Sequence, residues 1–377
     1  MKPERINSLT GLRALAMVTI FCSHLSYLAE TPFQGVYSYI RNGRFGVNFF
    51  LVLSGFVITL GYSNKLDTNN RIQDFSFVKK RISKIYIPYI ITLLLAIPLY
   101  VINAARGEGI NVKLLISQLI INISMVQSVI PFNKYSTSIN GVSWFISTIF
   151  IIYLLIPGII RLNNKAAKHY TLLKLLFLIL VIMAFNCGVY MVIRQIEYVR
   201  FADCGLSIIY INPLIRVFPF LLGIVVYNIY RLLSGFRIKN GSFVEILGIA
   251  LFFLWWAIAD KTGFPTVITE CTDMLVSMLV VLIFAFSNRG IVSLLLSTKK
   301  MLYLGNISLD FYLVHYLVIQ YGMIAAKHFG LDQGIVVFLL TILYFVISLC
   351  GAYIIHSITE WLLLSLRKKE QPLNYPL

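Results

Sequence analysis

The chain has 377 residues, 59% hydrophobic and 12% charged, with a mean hydropathy of +0.83. Runs this apolar exclude a water-soluble globular domain, and runs of about 20 residues match the roughly 30 Å hydrocarbon core as helices. The net charge of +17 lies mostly in short loops between apolar runs, where membrane topology places Lys and Arg, so it argues for a lipid bilayer as partner and against nucleic acid.

The expected fold class is all-α: a polytopic helical membrane bundle, one embedded unit over residues 1–377 with no appended soluble domain. The alternating pattern of a membrane barrel is absent. The first apolar run, 9–29, is read as a retained span. It is too long for the apolar core of a signal peptide, and no small-residue cleavage site follows it. It carries Arg13 and His24, eleven residues apart. At about 100° per residue the two fall within about 20° of one face, and about 16 Å apart along the axis. Burying an ionisable group in a span costs several kcal/mol, so such residues mark function by default. The alternative is an Arg13 that snorkels to the headgroups and a His24 bonded within the bundle.

The second span is expected at 44–62, and the following loop, 64–84, is strongly basic with Lys65, Arg71, Lys79, Lys80, Arg81 and Lys84. That loop is expected in the cytoplasm, as is the N-terminus with Lys2 and Arg5, two spans away. The third span is 85–104. The stretch 112–130 is read as non-spanning, because it holds Ser117, Gln118, Asn122, Ser124, Gln127 and Ser128. Counting it as a span would also invert every later basic loop: 161–174, then Arg231/Arg237/Lys239, Arg289/Lys299/Lys300 and Arg367/Lys368/Lys369. Spans at 142–161, 171–193, 212–231, 243–259, 268–287, 302–324 and 334–364 complete a count of ten, both termini cytoplasmic. No internal repeat of the transporter kind is visible. Cys22, Cys187, Cys204, Cys271 and Cys350 have no CxxC or metal spacing and read as small buried hydrophobes, and no HExxH is present. No metal is expected, and His169, His328 and His356 receive no role.

Five motifs in order resemble the membrane-bound acyltransferase-3 family of bacterial O-acyltransferases. Leu9-Thr10-Gly11-Leu12-Arg13 followed by His24 is similar to its opening motif, and Gly43–Ile58, GRFGVNFFLVLSGFVI, to its aromatic Leu-Ser-Gly-Phe block. Phe77–Tyr89 resembles its basic loop running into a Pro-Tyr helix start, Val142–Pro157 its Trp-to-Tyr-Leu-Leu-x-Pro helix, and Tyr303–His315 its late Tyr-Leu-x-His block. Glu360 sits where many members have a glutamate. Thr10 replaces the family's common aspartate and Ile149 a frequent glutamate, while Trp144-Phe145-Ile146 matches a subgroup.

The resemblance implies acyl transfer, usually of acetyl, from cytoplasmic acyl-CoA to a glycan hydroxyl at the outer face of the bacterial inner membrane. On that reading Arg13 grips a CoA phosphate with its forked guanidinium, and Lys80, Arg81 and Lys84 attract the anionic donor or simply mark the cytoplasmic side. His24 is the expected general base, since imidazole titrates near neutral pH; a covalent acyl-histidine is the lesser alternative. Ser54 and Gly55 are candidate oxyanion donors, with close helix contact the alternative for Gly55. Arg44 is expected at the outer mouth, either holding an acidic sugar or lipid phosphate or anchoring the interface. Trp144 and Tyr153 either stack on a ring or pack as aromatics, and His315 reads as a packed or supporting histidine sooner than a second base. Asp310 and His315, five residues apart, are not expected to share a face. Glu360 is expected near the cytoplasmic mouth or paired with Arg367 or Lys368. The expected acceptor is a polysaccharide such as O-antigen, capsule or exopolysaccharide, free or lipid-linked. The rival readings are a transporter of a glycan or metabolite and an O-acyltransferase acting on a small molecule.

Overall fold

A computed structural model describes residues 6–67, 70–106, 109–200, 204–236, 238 and 240–370. Lys2, Arg5, Arg237 and Lys239, used above for topology, lie outside the described residues, as do the side chains of Arg367, Lys368 and Lys369.

Ten long helices organise the chain: α1 Asn7–Ser23, α2 Gly43–Tyr62, α3 Arg71–Arg106, α4 Trp144–Ala167, α5 Leu172–Arg200, α6 Pro213–Leu232, α7 Gly241–Ile258, α8 Thr266–Phe286, α9 Ser308–His328 and α10 Gly334–Glu370. No strand occurs among the described residues. Nine of these helices, α2 to α10, are long and apolar enough to cross a membrane. The exception is α1, whose 17 residues rise about 25 Å.

The first helix ends six residues before the expected boundary at 29. Ser23 Oγ donates to the Ile20 carbonyl at 2.7 Å, and His24 Nδ1 lies 2.9 Å from the same oxygen. Side chains that occupy a last-turn carbonyl compete with the next turn of helix. His24 leaves the helix at φ −89°, ψ 4°, and a 3₁₀ turn, Ser26–Glu30, follows. The basic stretch after α2 is also not a loop, because α3 already begins at Arg71. There Phe77 and Ile85 are buried while Lys79, Lys80 and Lys84 stay exposed, so one face packs and the other holds charge. The 302–324 run is broken at Ile307, between Lys299–Asn306 and α9.

The 112–130 stretch holds a helix of 12 residues, Val112–Ile123, which rises about 18 Å and cannot cross. Of its polar residues, Gln118, Asn122, Gln127 and Ser128 are buried in protein. Tyr89 donates its hydroxyl to the Asn122 carbonyl at 2.8 Å, Gln127 Nε2 lies 3.1 Å from the Tyr89 hydroxyl, and Ser128 and Ser147 hydroxyls are 2.7 Å apart. Irregular backbone at depth requires such protein partners.

The centre of the bundle is α1 with α2. Leu9, Leu12 and Ala16 enter one apolar core, Ile20 a second, and Met17 and Phe21 a third. Glycines set the approach distances: a Cβ on Gly55 would strike the Phe220 carbonyl of α6, and one on Gly223 the Val52 carbonyl of α2. Close backbone contact through small residues is how membrane helices gain dispersion energy that lipid does not already supply. A buried carboxylate, Glu245 of α7, accepts from the Ser287 and Ser293 hydroxyls (2.8 and 2.7 Å) and from the Gly290 and Ser293 amides (2.9 and 2.8 Å). It ties α7 to the short helix Ile291–Leu296, which packs on α1 beside Gly11. Of the cysteines only Cys204 is buried, and Cys350 is exposed on α10; Cys187 and Cys271 bring their sulfurs to 3.2 Å across α5 and α8.

Candidate active site

Two cavities lie at opposite ends of the α1–α2 pair. The first, about 440 Å³, opens between the early part of α1, the late part of α2, α3, α4, and the facing parts of α9 and α10. Arg13, Arg81 and Lys84 line it, with Ser54, Tyr153 and Glu360. Arg81 stacks its guanidinium over Tyr62 and Phe77 at 5.0 and 5.8 Å, and its Nε is buried with no hydrogen-bond partner among the described residues. Asp310 and His356 form an ion pair at 2.9 Å in the same wall. Lys80 is separated from this group and borders a different surface hollow, with Tyr62 and Ser76. Ile149, at the position of the family's glutamate, makes apolar wall here.

The second cavity, about 630 Å³, is bordered by the end of α1, the start of α2 and the 3₁₀ and α8 segments near 260–270. His24, Asn42, Arg44, Trp144, Tyr210 and Glu270 line it. Its charges are already paired. Arg44 donates from Nε to Asp273 at 2.8 Å and meets Asp260 at 3.4 Å, and Arg41 meets Asp260 at 3.5 Å. Arg216, fully buried, pairs with Glu270, donates to Asn48 Oδ1 at 3.0 Å and lies over the Tyr210 ring at 4.6 Å. Trp255 Nε1 donates to the other oxygen of Asp273 at 2.8 Å. Three guanidiniums thus face three carboxylates, and the expected capture of an acidic group by Arg44 finds that side chain already committed.

His24 forms the chemical centre with His315. A carbonyl only accepts, so the 2.9 Å contact of His24 Nδ1 with the Ile20 oxygen puts the proton on Nδ1 and the lone pair on Nε2. The same reasoning at His315, whose Nδ1 is 3.2 Å from the Phe311 oxygen, leaves its Nε2 as an acceptor. That Nε2 is 3.2 Å from His24 Nδ1, with the rings edge-on at 5.0 Å. His24 is therefore held in one tautomer, and it borders the second cavity. His315 itself is fully buried and borders neither cavity.

Tyr312 borders both cavities. Its hydroxyl donates to the Val142 carbonyl at 2.6 Å, and its ring packs on Phe145 at 5.3 Å and near His315 at 5.9 Å. The neighbours Trp144 and Phe145 then divide between the second and the first cavity.

The acyltransferase domain family model matches residues 6–357. The chain belongs to the acyltransferase-3 family. A relative, acyltransferase MdmB of Streptomyces mycarofaciens, is 26% identical over 330 residues, spanning 84% of this chain and 80% of that protein. No solved structure gives a significant match. As a member of this family the chain is an acyltransferase, and the transporter reading falls.

Several residues of this acyltransferase site escaped the sequence reading. Asp310 finds its partner in His356, which was given no role, because α10 folds back along α9. Arg216, Glu270 and Asp273 did carry a signal, being ionisable residues inside apolar runs. Ser54 lines the cation-bearing cavity and not that of His24, and Gly55 is taken up in the α2–α6 contact. Neither is brought to His24.

Proposed function

We propose that this acyltransferase moves an acyl group, acetyl in the first instance, from acyl-CoA in the first cavity to a hydroxyl of a surface polysaccharide in the second. The observation that carries the reading is the tautomer of His24, imposed by the Ile20 carbonyl and His315, with Nε2 left basic at the second cavity. The donor brings phosphates and a thioester joined by a long thin arm. Arg13, Arg81 and Lys84 suit the phosphates: a buried guanidinium nitrogen without an acceptor is a site for a charge-assisted hydrogen bond. The arm then runs past Tyr312, so that the thioester meets the acceptor beside His24.

There the hydroxyl oxygen attacks the thioester carbon while Nε2 of His24 takes its proton. The tetrahedral adduct collapses, the C–S bond breaks, and the leaving thiolate recovers the proton from Nε2. His315 accepts the remaining N–H of the charged ring, as the third member of a triad does. Because the second cavity pairs each guanidinium with a carboxylate and adds Trp144 and Tyr210, it suits a neutral polyhydroxyl ring. The first cavity faces the cytoplasm on this reading, following the excess of Lys and Arg at that end, in the inner membrane of a bacterium.

The test is the ester-acetyl NMR signal of the host's surface polysaccharide. A deletion strain carrying the wild-type gene should show it, and one carrying His24→Ala at equal membrane abundance should lose it. A signal unchanged by His24→Ala would remove His24 as the base. No signal with the wild-type gene would redirect the search to small-molecule acceptors.

A further inference from the structure

We infer that Asn42 supplies the oxyanion donor of this acyltransferase, a role that rests on the two-cavity reading above. Asn42 immediately precedes α2 and caps it: its Oδ1 accepts the Phe45 amide at 3.2 Å. That bond fixes which end of the side-chain amide is oxygen and which is nitrogen. The nitrogen end, Nδ2, makes no hydrogen bond among the described residues, although Asn42 is only 3% exposed and borders the His24 cavity. An amide N–H₂ buried without an acceptor is destabilising. It is retained where charge that develops later supplies the acceptor.

The position is equally specific. Gly43 brings the first turn of α2 against the bend at Ser23, because a Cβ there would collide with the Ser23 hydroxyl. Gly43, the residue after Asn42, therefore stands beside the residue that precedes His24. The α2 N-terminus, with its partial positive charge, points the same way. Arg44, the nearest cation on α2, is held by Asp273 and Asp260 and leaves the neutral amide as the available donor.

In the reaction, the acceptor oxygen bonds to the thioester carbon and its proton passes to His24 Nε2. The former carbonyl oxygen, now an anion, takes a hydrogen bond from Asn42 Nδ2. As the C–S bond breaks, the carbonyl re-forms, the amide is released, and the thiolate leaves with the proton from Nε2. No oxidant or further reactant is needed.

The experiment separates capping from catalysis. Full-length enzyme in native membranes is assayed with radiolabelled acetyl-CoA and the host's surface polysaccharide after mild-base deacetylation. Asn42→Asp keeps an acceptor for the Phe45 amide and removes the donor; Asn42→Gly removes the donor without adding charge, at a cap position that tolerates glycine. Both should retain the wild-type melting profile in detergent and the KM for acetyl-CoA within about threefold, while kcat falls about 10²–10³-fold. Asn42→Asp and Asn42→Gly at near-wild-type kcat, beside an active wild type, would overturn the donor role alone and leave a helix cap. Loss of kcat accompanied by an equal loss of thermal stability in both variants would likewise assign Asn42 to folding. A wild-type enzyme that transfers no label would overturn the acyl-CoA reading and this inference with it.

Discussion

At the scale of single residues, the site turns on which nitrogen of His24 is basic. Removing His315 should therefore injure catalysis without touching either substrate. His315→Leu is expected to lower kcat about 10²-fold or more, with KM for acyl-CoA unchanged, since the charged His24 ring loses an acceptor for its Nδ1–H. His315→Gln keeps an acceptor oxygen toward His24 Nδ1 and should recover part of that loss. Equal damage from both would assign His315 to packing against Phe311 and Phe21. Tyr312 makes a different kind of claim, about passage. It borders both cavities. Tyr312→Ala should raise the ratio of butyryl to acetyl transfer about tenfold, because each methylene admitted to an apolar slot is worth about 1–3 kcal/mol. Tyr312→Phe, which loses only the bond to Val142, should leave that ratio near wild type. A fixed ratio in Tyr312→Ala would show that the arm takes another route.

At the scale of elements, α2 holds the site together because it serves three neighbours at once. Its Gly55 meets Gly223 of α6, its Phe45 and Phe49 pack on Phe252 of α7, and its Arg44 reaches Asp273 of α8. The glycine contact tolerates no side chain, since the obstacle is backbone. Gly55→Val should cost about 2 kcal/mol or more and lower the melting temperature in detergent, and with it all activity, whichever acyl donor is used. Retained stability would mean that α2 and α6 can separate without loss. The early end of α1 has its own consequence. Because the chain turns out of the helix at His24, the ring that meets the Ile20 carbonyl and His315 stands at the end of α1, on the border of the second cavity.

For the whole molecule, the prediction is one of sidedness. Asn64, just after α2, and Gln34, at the start of the short helix Gln34–Ile40 that precedes it, are both exposed. With the native cysteines replaced, Asn64→Cys should react with a membrane-impermeant maleimide only after the membrane is opened, and Gln34→Cys in intact spheroplasts. The reverse pattern would put the Arg13 cavity outside and remove cytoplasmic acyl-CoA as its ligand. The paired charges of the second cavity belong to this scale too. Arg41, Arg44, Arg216, Asp260, Glu270 and Asp273 come from the starts of α2, α6 and α8 and the turn between α7 and α8, and they neutralise one another only in the assembled bundle.

The sequence by itself determined the class of the molecule. A helix satisfies its own backbone, so apolar runs of span length, with cations confined between them, dictate a membrane bundle before any contact is known. It also singled out Arg13 and His24 as candidates, because charge in hydrocarbon is costly enough to stand out. What it did not carry is pairing across helices. His315 lies 291 residues from His24, and His356 46 from Asp310, yet each pair is in hydrogen-bond contact. Whether Ser54 faces the donor cavity or the histidine likewise depends on helix rotation and depth. Those are decided by packing between backbones, through contacts such as Gly55 on Gly223 and Gly305 on the Thr10 carbonyl, and only the tertiary structure contains them.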